Sequence, residues 1–274
     1  MDASHPIFNT PDKVELVYEE IDTPDHYARY PEGPALGKKL KVWRVHGKLR
    51  AKDYGLVSDG YGFDDSPDCE YISGGVNSKG PRSVALGRQG NFFLWGFSAP
   101  PGDMTDQAKR VFVNTLVYMK QFDGQRPLGQ KAGRARGWAY VFAHWLGDDH
   151  LSQYAKKSFG ARELEESGGD PKKMAALLKR HDGFLRHDNG WTIDRDALAL
   201  GLANRDPALL ERCVSLLEKG EDRERALRLL RRYTGEEHGD AKAWRRWFEA
   251  RKDRLYFTDT GGFVFKARSR RSSR

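Results

Sequence analysis

The chain has 274 residues, 38% of them hydrophobic and 31% charged, and a net charge of +8. That length suits one large domain or two smaller ones, and 14 Phe, 11 Tyr and 7 Trp exclude a disordered chain. No run approaches the ~20 apolar residues of a membrane span, and the start Met1-Asp-Ala-Ser-His5-Pro lacks the basic-then-apolar order of a signal peptide.

A cytoplasmic protein without a membrane span is therefore expected. The two cysteines, Cys69 and Cys213, are too few for a disulfide framework or a Cys-type zinc site. The last nine residues, from Lys266 to Arg274, hold five of the positive charges and no negative one. Such a tail is expected to be solvated and disordered, with phosphate contacts to nucleic acid as a secondary reading.

In chain order, Val14–Ile21 and Lys41–His46 read as strands rich in β-formers. Between them lie three prolines in twelve residues, from Thr23 to Pro34. A long irregular excursion of that kind is often a functional loop. Residues 56–80 are dense in Gly, Asp and Ser. Ser83–Gly87 and Phe92–Phe97 are apolar runs joined by a turn at Gly90-Asn91, which predicts a hairpin or a sharp corner.

Thr105 is an expected N-cap, followed by Ala108, Val111, Phe112, Thr115, Leu116 and Met119 at helical spacing. From Gln125 the composition turns to Gly and basic residues, a linker, and then becomes helical. Trp138–Leu146 and Asp194–Leu202 are expected helices, and so are the segments opened by Asp170-Pro171, Asp206-Pro207, Asp222 and Asp240. Leu255–Phe257 and Asp259–Phe265 read as short strands around a Gly-Gly turn.

Three segments carry a resemblance. His5–Phe8, Ser66–Gly75 and Val84–Phe97, with the helix after Thr105, resemble the C-terminal half of ThuA-like proteins, of planctomycete type, in the glutamine-amidotransferase-like superfamily. The resemblance implies a flavodoxin-like α/β fold and a link to carbohydrate metabolism. It also implies that the half supplying the first parallel strands is missing. Arg231–Gly235 and Ala243–Phe248 resemble HEAT-like repeats, which are usually binding surfaces. The expected fold class is thus α/β, a partial flavodoxin-like sheet with one strong flanking helix, followed by an all-α helical-hairpin region. The expected divisions are 1–125, 126–257 and 258–274.

The best polar cluster is the Gly-rich region. Asp64, Asp65, Asp68 and Glu70 crowd together, with Asn77, Lys79, Arg82, Arg88 and Asn91 following. Dense carboxylates bind cations or divide acid and base roles, and the basic residues suit an anionic ligand. Tight turns ask for the same residue types on steric grounds. His144, Asp149, His150, His181 and His187 form a second set, read either as metal ligands or as helix-end and capping residues.

Cys69 lies in Asp-Cys-Glu without the flanking glycines of a nucleophile elbow, so amidotransfer is not expected. No Walker or Rossmann spacing is present, and no cofactor is expected. Phe92, Phe93, Trp95 and Phe97 are expected in the core, with sugar stacking as the alternative. The leading expectation is a non-catalytic interaction or ligand-binding protein with a protein or carbohydrate-related partner. The alternative is a hydrolase-like enzyme using the acidic loop on a carbohydrate-related substrate.

Overall fold

The computed structural model describes residues 1–48 and 55–268. It is a mixed α/β structure of small antiparallel sheets and helices. The chain forms two compact units: Met1–Asp64 with Asp68–Leu128, and Asp65–Pro67 with Gly129 onward. The basic tail expected to be solvated falls largely at 269–274, outside the described residues.

The first unit begins with a short 3-10 turn, Pro6–Phe8, whose Ile7 and Phe8 are buried. Strands β1 (Tyr18–Asp22) and β2 (Lys39–Trp43) pair antiparallel. The excursion between them contains two more 3-10 turns, Asp25–Arg29 and Gly33–Leu36. Strands β3 (Cys69–Gly74), β4 (Val84–Gln89) and β5 (Phe92–Trp95) form an antiparallel sheet in that order. Strand β4 lies between the other two and is buried over five of its six residues.

Helix α1 (Asp106–Met119) starts where expected, with the Thr105 hydroxyl accepting from the Ala108 amide. Its Val111 joins Ile7, Phe8, Val14, Ile72 and Leu86 in one core. Asn114, fully buried, fastens the N-terminal segment to the helix. Its amide nitrogen donates to the carbonyls of Ile7 (3.1 Å) and Asp12 (2.7 Å), and its oxygen accepts from the Asp12 amide.

The parallel sheet implied by the resemblance is not what these strands build. Every paired strand among the described residues is antiparallel. The connections explain it, since a parallel pair needs a crossover of a dozen or more residues, whereas Gly90-Asn91 joins β4 to β5 directly. Strand β3 was not expected within the Gly-rich region. It forms because Ile72, 2% exposed, anchors it in the core. The aromatic hairpin is split: Phe93, Trp95 and Phe97 pack on the core, whereas Phe92 is exposed.

The second unit is mainly helical. Helices α2 (Gly137–Trp145), α3 (Ser152–Lys156), α4 (Ala161–Ser167) and α5 (Pro171–Arg180) surround Phe142, Met174, Leu178 and Trp191. Asp170 caps α5, accepting from the Lys173 amide at 2.8 Å, and Pro171 occupies the first helical position.

A hairpin not expected in this region, β6 (Leu185–His187) and β7 (Trp191–Ile193), follows. Its strands are only three residues long, too short for a period-2 pattern to stand out. Helices α6 (Arg195–Leu200), α7 (Ala208–Lys219), α8 (Arg223–Thr234) and α9 (Ala241–Glu249) enclose a core of leucines with Tyr233, Trp244, Trp247 and Phe248. Glycines in the left-handed conformation end α6, α7 and α8 at Gly201, Gly220 and Gly235.

Strands β8 (Leu255–Thr258) and β9 (Val264–Ala267) pair with each other. No helix among the described residues is long and apolar enough to cross a membrane.

Candidate ligand-binding site

The acidic residues of the Gly-rich loop do not converge. Asp64 is exposed. Asp65 belongs to the second unit, where its carboxylate accepts from the Thr260 amide (2.8 Å) and from the hydroxyls of Thr260 and Thr258. Burial, only partly offset by those bonds, raises its pKa. Asp68 accepts from the Leu128 amide at 2.8 Å, and its own carbonyl accepts from Gly90. These are turn-closing roles. Asn91 is exposed, and its amide donates to the Gln125 carbonyl.

Glu70 and Arg88 do meet, as cross-strand neighbours on β3 and β4. Arg88 Nε and Nη2 donate to the two Glu70 oxygens at 3.0 and 2.8 Å, and Nη1 donates to the Gly90 carbonyl. The guanidinium lies 3.8 Å from the Phe122 ring centre. The Tyr118 hydroxyl donates to Glu70 at 2.7 Å, and His5 Nε2 stands 3.6 Å away. Each of these groups is consumed by its neighbours, which makes the cluster a brace between strand, helix and N-terminal segment.

Burial alone would raise the Glu70 carboxyl, but the His5, Arg88 and Tyr118 hydrogen bonds prevail and hold it well below the usual carboxylate range. A carboxyl depressed in the fold contributes stability that is full above its unfolded pKa of about 4.3 and is lost as pH falls toward the folded value. Glu70→Gln is therefore expected to flatten the acid limb of stability below about pH 5. Urea midpoints measured at several pH values check this. Parallel acid limbs in the two proteins would contradict it.

The other predicted residues gather around the excursion 23–36. Asn77 organises the loop 75–80. Its side chain donates to the carbonyls of Gly75 (2.6 Å) and Gly80 (3.1 Å) and accepts from the amides of Lys79 (2.7 Å) and Gly80 (2.9 Å). The Tyr27 hydroxyl accepts from the Asn77 amide, and His26 Nε2 lies 3.0 Å from its carbonyl. Lys79 Nζ donates to the Val57 carbonyl. Gly80 backs onto Tyr30, where a Cβ would fall 2.6 Å from the ring.

Arg82 sits over the Tyr61 ring at 5.3 Å and 4.0 Å from Glu32. The Tyr61 hydroxyl donates to Glu32 at 2.9 Å. Burial, then Glu32, pushes that hydroxyl's pKa far up, so it stays a donor. Only glycine fits at position 60, because a Cβ there would lie 1.5 Å from the Arg82 carbonyl oxygen. The resulting patch has a fixed floor and two charged heads still in water. The Arg82 and Glu32 side chains are 50% and 34% exposed. Tyr27, Tyr30, Glu32 and Tyr61 were not singled out individually. For Tyr27, Tyr30 and Glu32 the proline-rich excursion was the only signal, and for Tyr61 the Gly-rich stretch 56–80.

The histidine set does not assemble. His144 is exposed in the last turn of α2, and Asp149 and His150 are exposed in the turn after it. His181 ends α5, and His187 packs edge-on against Trp191 at 4.6 Å. Burial is the main cause holding the pKa of both His181 and His187 down, with Arg195 next for the first and Arg134 for the second. Among the described residues no group of three His, Cys, Asp or Glu side chains is placed to hold a metal ion. Helix ends, a turn and strand β6, rather than one helix face, carry these residues. Cys69 and Cys213 are not joined in a disulfide, and burial pushes Cys213 up to about 12.

An open groove of about 450 Å³ beside the first turn of α1 is rimmed by Lys13, Glu15, Asp106 and Arg110. Their charges alternate in sign and favour no one ligand. Comparison with protein-family models, characterised proteins and solved structures finds no match to this chain.

Proposed function

We propose that the protein is a non-catalytic binding protein whose first unit presents the Glu32–Tyr61–Arg82 patch to a carbohydrate-related ligand. The observation that carries this reading is the state of the carboxylates. Asp65, Asp68 and Glu70 each accept hydrogen bonds that close turns or brace the core, and hydrolysis of a glycosidic bond asks for two carboxyl groups facing one substrate. The patch offers instead a guanidinium and a carboxylate side by side, suited to the hydroxyls and carboxylates of sugars. In this reading the first unit is a partial amidotransferase-like relative of ThuA type, with an antiparallel sheet in place of a flavodoxin-like parallel one, and the helical unit is a HEAT-like surface. Both relationships rest on sequence segments, His5–Phe8, Ser66–Gly75 and Val84–Phe97 for the first and Arg231–Gly235 and Ala243–Phe248 for the second.

Titration calorimetry against neutral and uronic-acid saccharides, beside a turnover assay on glycosides and amides, tests the proposal. Saturable binding without turnover is expected, weakened about tenfold in Arg82→Ala, as for loss of a charge-assisted hydrogen bond. Turnover abolished by Asp64→Asn or Asp68→Asn would establish the hydrolase alternative. Absence of binding by any saccharide would remove the patch from consideration.

A further inference from the structure

Three aromatic residues of α2 lie on one face by helical spacing: Trp138, Phe142 and Trp145, at i, i+4 and i+7. Tyr154 of α3 completes the group. Phe142 lies 5.1 Å from Trp145 and 5.5 Å from Tyr154, and Trp138 lies 6.2 Å from Trp145, all as ring centres. Phe142 is fully buried and forms the floor. The tryptophans are half-buried and Tyr154 is 49% exposed, so the group opens to solvent.

A cation already sits in it. The Arg134 guanidinium carbon is 4.9 Å from the Phe142 ring centre and 5.6 Å from that of Trp138, both within the ~6 Å reach of a cation–π interaction. Its Nη2 donates to the Tyr154 hydroxyl at 3.0 Å. Among the described residues no carboxylate pairs with Arg134. An arginine held by ring faces and one hydroxyl, without an anion, is held weakly enough to be exchanged. It also enters from the segment just before α2, where the amides of Ala132 and Gly133 are fixed to the Thr260 carbonyl. The backbone thus stays in place whether or not the side chain is seated.

We propose that this aromatic cage is a binding site for the guanidinium group of an arginine on a partner protein, with Arg134 its resident intramolecular occupant. The cation lies within reach of the Trp138 and Phe142 rings and its N–H donates to Tyr154, the contacts Arg134 makes now. A quaternary ammonium has no N–H for Tyr154, so the cage discriminates against it. Arg134 competes at the millimolar effective concentration of a short tether. Binding by the intact protein is therefore weak, and removal of the tethered side chain strengthens it. The site shares no residue with the patch of the first unit and stands or falls separately.

The test uses the full chain and N-acetylargininamide as probe, with indole N–H resonances of Trp138 and Trp145 followed by NMR. In Arg134→Ala the probe should shift both resonances saturably, about tenfold tighter than in the parent protein. Tetramethylammonium should bind at least severalfold more weakly. Adding Tyr154→Phe, a change at a half-exposed position, should cost severalfold in probe affinity while leaving the indole spectrum folded. No saturable shift in Arg134→Ala would overturn the site. Equal affinity for tetramethylammonium, or indifference to Tyr154→Phe, would overturn its assignment to guanidinium.

Discussion

Asp259→Ala should destabilise the second unit by about 3–5 kcal/mol, the cost of removing one partner from a buried ion pair. Arg136 and Asp259 have side chains 10% and 11% exposed. Nε and Nη2 of the arginine donate to the two carboxylate oxygens, both at 2.7 Å, and the Arg136 amide donates to the same carboxylate. Nη1 is spent on the Asp182 carbonyl.

Without the carboxylate, the nearly buried guanidinium keeps the Asp182 carbonyl, with the Asn204 side-chain oxygen at 3.4 Å and the Asp182 carboxylate at 3.9 Å as poorer substitutes. Replacing both partners with apolar residues, Arg136→Met with Asp259→Leu, should recover most of the loss, because no desolvated charge is left behind. Urea unfolding followed by tryptophan fluorescence measures both variants. A loss below about 1 kcal/mol in the single variant would show that solvent reaches the pair and that it behaves as a surface ion pair.

A second large loss is expected from Trp244→Ala, about 3–5 kcal/mol for emptying a buried aromatic site. Trp244 is fully buried between α7 and α9, with Trp247 at 5.8 Å and the His238 ring edge-on at 4.6 Å. Among the described residues its indole nitrogen has no hydrogen-bond partner. Trp244→Phe thus loses volume but no hydrogen bond and should cost much less than the alanine change. The same unfolding experiment separates the two. Equal losses would mean that the indole N–H is engaged after all.

The helical unit was the more legible half of the sequence. Asp170 and Asp240 mark their helix starts, as Thr105 does in the first unit, by chemistry that acts within three residues, a side-chain oxygen on an exposed amide. The leucines of α7 and α8 repeat at helical spacing, so their buried face could be read directly. What escaped notice depends on long-range partners. Strand β3 is a strand because Ile72 anchors in the core and Glu70 finds Arg88 eighteen residues on. The β6–β7 hairpin exists because Trp191 packs in the core with Phe142, Met174 and Leu178. Propensity over a few residues carries neither fact.

The candidate site shows the same division. Asn77 was visible as a loop residue, but the hydroxyl that holds it belongs to Tyr27, fifty positions earlier. Asp65 stood among four carboxylates in sequence, yet its partners, Thr258 and Thr260, lie more than 190 residues away. Density of like charge in a loop records the needs of tight turns. It says little about where each carboxylate points.

Asp65–Pro67 folds with the helical unit while residues on both sides fold with the other. For anyone dissecting the protein, this makes the change of composition near residue 126 a poor place to cut. A fragment starting at Gly129 would carry the β8–β9 turn without the carboxylate that receives the Thr260 amide and two threonine hydroxyls. Its solubility trials would then report on a severed turn rather than on an independent domain. Limited proteolysis of the whole chain is the sounder guide to its separable parts.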